Sequence, residues 1–152
     1  MKNKCISFVI PCYNSELTIR NVVGEVIREV SKQEEYQYEI ILVNDGSRDG
    51  TGDVIKQLAE ENDNIAAVLF AKNFGQHAAL MAGFHQVKGD ILVCLDDDGQ
   101  TPANEVGKLL AALENGADVV LELPARFACA PAPDFAGGGV ALLAALGVGA
   151  PV

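Results

Sequence analysis

The sequence predicts an α/β protein with a mostly parallel β-sheet and helices on both faces of the sheet. Strand-like and helix-like segments alternate strictly over the first 120 residues. The strand-like segments are continuous apolar runs, which is typical of parallel strands buried on both faces. A chain of 152 residues, 49% of them hydrophobic, is long enough to build one such core. The alternation of strands and helices, together with the continuous apolar strands, therefore predicts the fold class.

Each element has its own signal along the chain. The first strand is β-branched and ends at a proline. The helix after it carries an apolar stripe from Leu17 to Val30, with Asn14 and Ser15 as candidate N-terminal caps. Clusters of Asn, Asp and Gly end the other strands. The strands are expected at Ile6–Pro11, Glu39–Val43, Ile65–Phe70, Asp90–Leu95 and Asp118–Leu121. The later helices are expected around Val54–Leu58, at Gln76–Val87 and at Glu105–Leu113.

The composition changes after Val120 and divides the chain into two predicted regions. Residues 121–152 contain nine Ala, five Gly and four Pro, but only three charged residues. Alanine–proline repeats and a glycine triplet favour neither a helix nor a packed strand. We therefore expect 1–120 to be the folded domain and 121–152 to be a poorly ordered or foreign tail. The uncharged stretch 135–152 raises the alternative of a membrane span, which its five glycines and one proline disfavour.

The charge balance argues against one class of partner. Eleven basic and 21 acidic residues give a net charge of −10 and a pI near 4.5. Proteins that bind nucleic acids use a basic surface, so we expect no nucleic-acid partner. No secretory signal opens the chain, and its four cysteines lack zinc-site spacing. Both observations favour a cytoplasmic protein with reduced thiols.

Polar loops follow the first four predicted strands and form the candidate functional region. Right-handed crossovers place these loops along one edge of a parallel sheet, outside the carboxyl ends of the strands, where ligands bind. Tyr13 offers a ring that can stack on a base, Asn14 offers a donor and an acceptor, and Asp45 offers an acceptor for a base N–H or a ribose hydroxyl. The four loops contain Pro11–Asn14, Asn44–Ser47, Lys72–Gly75 and Asp96–Gln100.

Three consecutive aspartates follow the fourth predicted strand. Like charges at this spacing repel one another unless a cation shares the site. Mg²⁺ or Mn²⁺ is the natural candidate, because hard oxygen ligands suit both ions and such ions are usually held by one or two carboxylates plus substrate phosphates. In an extended segment Asp96 and Asp98 point the same way, whereas Asp97 points elsewhere, so Asp96 and Asp98 are the candidate metal ligands. An acidic triplet alone is more typical of a solvated loop.

Four motifs in a fixed order resemble the nucleotide-sugar-binding part of the family 2 inverting glycosyltransferases. The resemblance extends from about Ile6 to Val120 and is strongest to the polyprenyl-phosphate sugar transferases, which use dolichyl or undecaprenyl phosphate. It implies a Rossmann-like GT-A fold, truncated here, since the family continues into an acceptor-binding region. The motifs are Ile-Pro-Cys-Tyr-Asn, Val-Asn-Asp-Gly-Ser-x-Asp-Gly-Thr, Asn-Phe-Gly-Gln-x-Ala-Ala-Leu-x-Ala-Gly and Leu-Asp-Asp-Asp-Gly-Gln-x-Pro.

The resemblance implies roles for individual residues. Asp98 would act catalytically through the metal and the diphosphate, and Asp96 and Asp98 would bind Mg²⁺ or Mn²⁺. Lys72 stands where the family commonly has Arg. Ser15 stands where the family often has Glu, so Glu16 is assigned one position later. The residues implied in binding a UDP- or GDP-sugar are Pro11, Tyr13, Asn14, Glu16, Asp45, Lys72, Asn73, Gly75, Asp96, Asp97 and Gln100.

The implied activity is that of a hexosyltransferase-type enzyme of cell-envelope biogenesis. Its acceptor would be a polyprenyl phosphate or a glycan, and a full-length relative would act at the inner face of the membrane. A phosphate acceptor is already an anion and needs no strong base, so no general base is assigned. The alternative is a truncated nucleotide-binding module without turnover. A dinucleotide-dependent oxidoreductase is disfavoured because no glycine-rich turn follows the first strand. Whether copies of the chain associate stays open.

Overall fold

The computed structural model describes residues 4–99, 106–115, 119–123, 126–130 and 141–145. This part of the chain contains seven strands and four helices. The strands are β1 (Lys4–Cys12), β2 (Tyr36–Asn44), β3 (Ile65–Leu69), β4 (Ile91–Cys94), β5 (Val119–Leu123), β6 (Arg126–Ala130) and β7 (Ala141–Ala145). The helices are α1 (Ile19–Ser31), α2 (Thr51–Glu61), α3 (Gln76–Gln86) and α4 (Val106–Glu114).

The strands form one sheet in the order β3-β2-β1-β4-β7-β5-β6. Strand β1 lies between β2 and β4 and is parallel to both, and β3 extends the sheet parallel to β2. Strands β5 and β6 form the antiparallel pair at the far edge. The prediction of a mostly parallel sheet is confirmed. Because β1 to β4 run in one direction, the loops that follow them leave the sheet at one edge.

Helices cover both faces of the sheet, as the apolar strands predicted. On β1, Ile6, Phe8 and Ile10 face a large core shared with α1, α2 and α4, whereas Val9 faces a smaller core beneath α3. All four of these side chains are fully buried. Alternating side chains of one strand thus enter two cores, which explains why Ile6–Ile10 is apolar except for Ser7.

Helix α3 lies very close to the sheet. Its buried residues are Ala79 and Gly83, one turn apart on the same helix face. A Cβ atom added at Gly83 would overlap a methyl group of Val9 and meet Val43 at 3.3 Å. The small residues of this helix therefore allow its backbone to approach strands β1 and β2.

The start of α1 differs from the prediction in two ways. The N-cap is Thr18 rather than Asn14 or Ser15, and no side chain caps the helix. Instead, the backbone carbonyl of Ser15 accepts hydrogen bonds from the N–H groups of Thr18 and Ile19. Leu17, expected in the buried stripe, is 88% exposed because it precedes the first helical turn.

Two strands lie within the region predicted to be a tail. Strand β7 is parallel to both of its neighbours, β4 and β5, and β6 pairs with β5. The sequence analysis did not predict these strands, because alanine has a low strand propensity and Ala141–Ala145 contains three alanines. The division of the chain at residue 120 stays a prediction. Among the described helices, none is long and apolar enough to cross a bilayer.

Candidate functional site

Asn14 joins the loop after β1 to the loop after β2. Its backbone N–H donates to the Ser47 hydroxyl at 3.0 Å, and its side-chain oxygen accepts a hydrogen bond from the N–H of Arg48 at 2.9 Å. Asn14 has a φ of 50°, a left-handed conformation that asparagine tolerates better than most residues. The two loops are therefore held together by the residue that was predicted to contact the nucleotide.

Glu16 makes a second connection between these loops. Its carboxylate accepts a hydrogen bond from the N–H of Gly50 at 2.5 Å, directly before α2. Its own N–H donates to Asp49 at 3.3 Å, and Asp49 also accepts hydrogen bonds from the hydroxyl and N–H of Thr51. Burial acts to raise the pKa of Asp49, but these hydrogen bonds outweigh it and lower the pKa. Glu16 thus positions the loop against the start of α2.

Asp45 connects the loop after β2 to the loop after β3. Its side chain is buried, and one carboxylate oxygen accepts hydrogen bonds from the N–H groups of Phe74, at 2.8 Å, and Gly75, at 3.3 Å. The other oxygen accepts from Gly75, at 3.1 Å, and from the Asn73 amide, at 3.3 Å. The four contacts come from three donor groups, because the Gly75 N–H is shared between the two oxygens, and they hold the carboxylate against the loop after β3.

The backbones of these two loops also touch directly. Gly46 has a φ of 65°, and a Cβ at this position would overlap the backbone of Lys72 and Asn73. The Lys72 ammonium lies 5.1 Å from the centre of the Phe74 ring, which itself packs edge-on against Phe70. Only glycine therefore fits at position 46. In the loop after β3, the positive charge of Lys72 lies near the face of the Phe74 ring.

The acidic loop after β4 is attached to the loop after β1. The Asp97 carboxylate accepts a hydrogen bond from the N–H of Tyr13 at 2.9 Å, and the Asp97 carbonyl accepts one from the Thr18 hydroxyl at 2.7 Å. Asp96 is half-buried and Asp98 is exposed. Asp97 and Asp98 lie in a turn rather than in the extended segment assumed from the sequence, so the shared orientation of Asp96 and Asp98 stays a prediction.

The donor set at this loop fits a hard divalent cation. The described residues contain no group of three His, Cys, Asp or Glu side chains that could hold a metal on their own. Asp96 and Asp98 can contribute two carboxylates, which is the number that Mg²⁺ commonly takes from a protein when substrate phosphates complete its coordination. The site therefore fits a metal that arrives with a phosphorylated ligand better than a permanently held one.

A nucleophilic cysteine does not fit this site. Cys5, Cys12 and Cys94 are free thiols, and burial raises the pKa of each. The pKa of Cys94 is raised to about 12, first by burial and then by the negative charge of Asp96. Since the thiolate is the reactive form, these three cysteines are unreactive near neutral pH.

The structure brings most of the predicted site residues to one edge of the sheet. Pro11 lies buried near the end of β1, and Tyr13 follows it with 45% of its surface exposed. Gln100 lies outside the described residues. The contacts of all these residues with a ligand stay predictions.

Three residues that connect the loops were not predicted from the sequence: Thr18, Asp49 and Thr51. A hydroxyl or carboxylate residue just before or at the start of a predicted helix is a signal that could have identified them.

The chain is similar in sequence to known proteins. Residues 7–131 match the model of the family described as glycosyl transferase family 2. A curated relative, the undecaprenyl-phosphate 4-deoxy-4-formamido-L-arabinose transferase of Pseudomonas fluorescens, is 44% identical over 117 residues, which cover 76% of this chain and 34% of the relative. The corresponding transferase of Proteus mirabilis is 42% identical over 116 residues, which cover 76% of this chain and 35% of the relative. The chain thus spans about a third of the length of these relatives.

A solved structure shares the fold at low sequence identity. A mannosyltransferase from Pyrobaculum calidifontis, in complex with GDP-Man and Mn²⁺, superposes with a TM-score of 0.67 at 20% identity, covering 80% of this chain and 35% of the other. The likeness shows the Rossmann-like GT-A fold that the sequence predicted. On the family match over 7–131, the chain belongs to glycosyl transferase family 2.

Proposed function

We propose that this chain is the donor-binding part of a metal-assisted glycosyltransferase. It would bind a UDP- or GDP-sugar, and the sugar would pass to a polyprenyl phosphate at the cytoplasmic face of a membrane. The observation that carries the proposal is the meeting of the loops after β1, β2, β3 and β4 through direct hydrogen bonds. A nucleotide-sugar needs contacts to its base, its ribose and its diphosphate, and the polar groups of four loops at this edge can supply all three kinds of contact.

The polar groups at this edge suit the parts of a nucleotide-sugar. The exposed ring of Tyr13 offers a stacking surface for a base, and the Lys72 ammonium offers a positive charge for a phosphate. Asp96 and Asp98 would hold Mg²⁺ or Mn²⁺, which when bound supplies charge neutralisation for the departing nucleoside diphosphate. The mannosyltransferase of similar fold is complexed with GDP-Man and Mn²⁺, which supports both parts of this assignment.

The acceptor is proposed from the relatives and from the chemistry of the site. The relatives from Pseudomonas fluorescens and Proteus mirabilis are named as transferases that use undecaprenyl phosphate. A phosphate oxygen is already anionic at neutral pH, so such an acceptor can attack without a strong general base.

Thermal stabilisation by nucleotides tests the donor site. At about 100 times its Kd, UDP or GDP should stabilise the chain by about 2.7 kcal/mol, which raises the Tm by about 5–10 °C. We expect this shift to require Mg²⁺ or Mn²⁺ and to be lost in Asp98→Ala. The matched control is Asp63→Ala, which removes an exposed aspartate remote from these loops. No shift with millimolar UDP or GDP would overturn the proposal.

Sugar transfer separates an enzyme from a binding module. The chain is incubated with radiolabelled UDP- or GDP-sugars, Mn²⁺ and undecaprenyl phosphate, and labelled lipid is extracted. Labelled product would establish turnover by this chain. Intact nucleotide binding without product would instead support the alternative of a nucleotide-binding module without turnover.

A further inference from the structure

We propose that Thr18 and Asp97 are positioning residues that couple nucleoside binding to divalent-cation binding. This inference rests on the proposed function and adds a property to it. A nucleoside bound at Tyr13 raises the affinity of Asp96 and Asp98 for the cation, without a phosphate that bridges the two sites. Asp97 is the element that transmits the effect, because it lies between the two candidate metal ligands, Asp96 and Asp98, and contacts the residue that offers a ring to the base.

Asp97 is held at two points by the loop that leads from β1 into α1. Its carboxylate accepts the N–H of Tyr13 at 2.9 Å, and its carbonyl accepts the Thr18 hydroxyl at 2.7 Å. One contact fixes the side chain and the other fixes the peptide group that leads to Asp98. A change in the position of Thr18 therefore acts on the peptide group that leads to Asp98, and a change in the position of Tyr13 acts on the side chain of Asp97.

Thr18 uses its hydroxyl in a way that its position does not predict. A threonine at a helix N-cap normally accepts a hydrogen bond from an N–H of the first turn. Here the hydroxyl makes no capping bond and donates to Asp97, with a longer contact of 3.4 Å to the Ser15 carbonyl. Helix α1 thus lacks a side-chain cap, and the hydroxyl connects the helix to the acidic loop instead.

The direction of the coupling follows from these contacts. A base that stacks on the exposed Tyr13 ring restricts the backbone of Tyr13, whose N–H holds Asp97. Restricting Asp97 in turn lowers the entropy that Asp96 and Asp98 would lose when they bind a cation. Because coupling is reciprocal, the cation must tighten nucleoside binding by the same factor.

The experiment uses nucleosides, because they have no phosphate that could reach the metal. The affinity of the 152-residue chain for Mn²⁺ is measured from the electron paramagnetic resonance of free Mn²⁺, with and without saturating uridine or guanosine. For the unchanged chain, we expect one of the nucleosides to lower the Kd for Mn²⁺ about five-fold or more.

Two pairs of variants identify the path of the effect. Thr18→Val removes the hydroxyl at nearly constant volume and should reduce the coupling to less than about two-fold, whereas Thr18→Ser keeps the hydroxyl and should preserve the coupling. Asp97→Ala removes the acceptor of the Tyr13 N–H and should abolish the coupling. Asp97→Asn keeps an acceptor oxygen and should preserve it, although the lost charge weakens Mn²⁺ binding itself. Circular dichroism checks folding, and either pair decides the question if a variant of the other pair does not fold.

The outcomes separate this inference from the proposed function. If the unchanged chain binds a nucleoside and Mn²⁺ independently, or if Thr18→Val and Asp97→Ala retain the coupling, the inference is wrong and the donor site stands. If the chain fails to bind either the nucleosides or Mn²⁺ in the absence of phosphate, the inference is wrong, and the thermal-shift test with UDP or GDP decides the proposed function separately.

Discussion

The carboxylate of Asp45 has two competing uses. The sequence suggested a contact with a base N–H or a ribose hydroxyl, which any accessible carboxylate at this edge could make. In the structure, Asn73, Phe74 and Gly75 donate hydrogen bonds to both of its oxygens. These contacts hold the loop after β3, including Lys72, in position. Because Asp45 is only 4% exposed and three donors already bond to its carboxylate, loop positioning is the role that the described contacts support.

Asp45→Asn tests this role at the scale of one residue. The new amide group would meet N–H donors, so at least one buried hydrogen bond is lost and a donor is left unpaired. We expect the free energy of unfolding to fall by about 1–3 kcal/mol, measured by urea denaturation. We also expect faster hydrogen exchange at the N–H groups of Phe74 and Gly75.

An exposed aspartate provides the comparison for this substitution. Asp63 lies in the turn between α2 and β3, and Asp63→Asn should change the free energy of unfolding by no more than about 0.5 kcal/mol. If Asp45→Asn changes stability as little as Asp63→Asn does, the anchoring role is wrong and the carboxylate is available to a ligand.

Residue types in loops were easier to predict than their partners. Asn14, Glu16 and Asp97 lie, as predicted, at the edge where the carboxyl ends of β1 to β4 meet, because strand order alone determines which loops lie there. Their hydrogen bonds to Arg48, Gly50 and Tyr13 join residues 34, 34 and 84 positions apart in the chain. Sequence patterns report local spacing, so contacts over such distances could not be read from them.

At the scale of elements, the sequence predicted which residues of a helix are buried, but it did not predict where the helix begins. The apolar stripe of α1 gave the helix, and Val22, Val23, Val26 and Val30 are all buried as expected. Leu17 matches the same apolar stripe but is exposed, because it precedes the first turn of α1. The pattern of hydrophobic residues does not show where that first turn begins. Helix α3 was predicted as a helix of small residues. In the structure, these small residues allow the helix to pack closely against β1 and β2.

Gly83→Ala tests the packing of α3 against the sheet. The added methyl group would overlap Val9, so we expect a loss of about 1–3 kcal/mol in the free energy of unfolding. The matched substitution is Gly24→Ala on α1, where no atom lies within 4 Å of the new methyl group. That change should stabilise the chain by about 0.5–1 kcal/mol through helix propensity.

A double variant shows whether the overlap with Val9 is the cause. Shortening the neighbour in Val9→Ala makes room for the new methyl group, so Gly83→Ala should cost less in that background than in the unchanged chain. An equal cost in both backgrounds would mean that α3 does not approach β1 as described. Urea denaturation of the four chains gives the coupling energy directly.

At the scale of the whole molecule, the fold class and the meeting of the four polar loops at one edge were predictable, whereas the far side of the sheet was not. The order of apolar strands and helices determines a parallel sheet through general rules of handedness and burial. Strands β6 and β7 have no such signal. Their pairing depends on neighbours elsewhere in the sheet, and β7 lies between β4 and β5, although it follows both in the chain.

The place of β7 in the sheet leads to a test of the whole architecture. A chain ending at residue 130 lacks β7, so β4 and β5 lose the strand that pairs with both. We expect the Tm to fall by about 5 °C or more, since several backbone hydrogen bonds are lost and two strand edges become exposed. A chain ending at residue 145 keeps β7 and is the matched comparison. If the chain ending at residue 130 is as stable as the one ending at residue 145, β7 contributes nothing to the sheet, and the predicted division at residue 120 gains support.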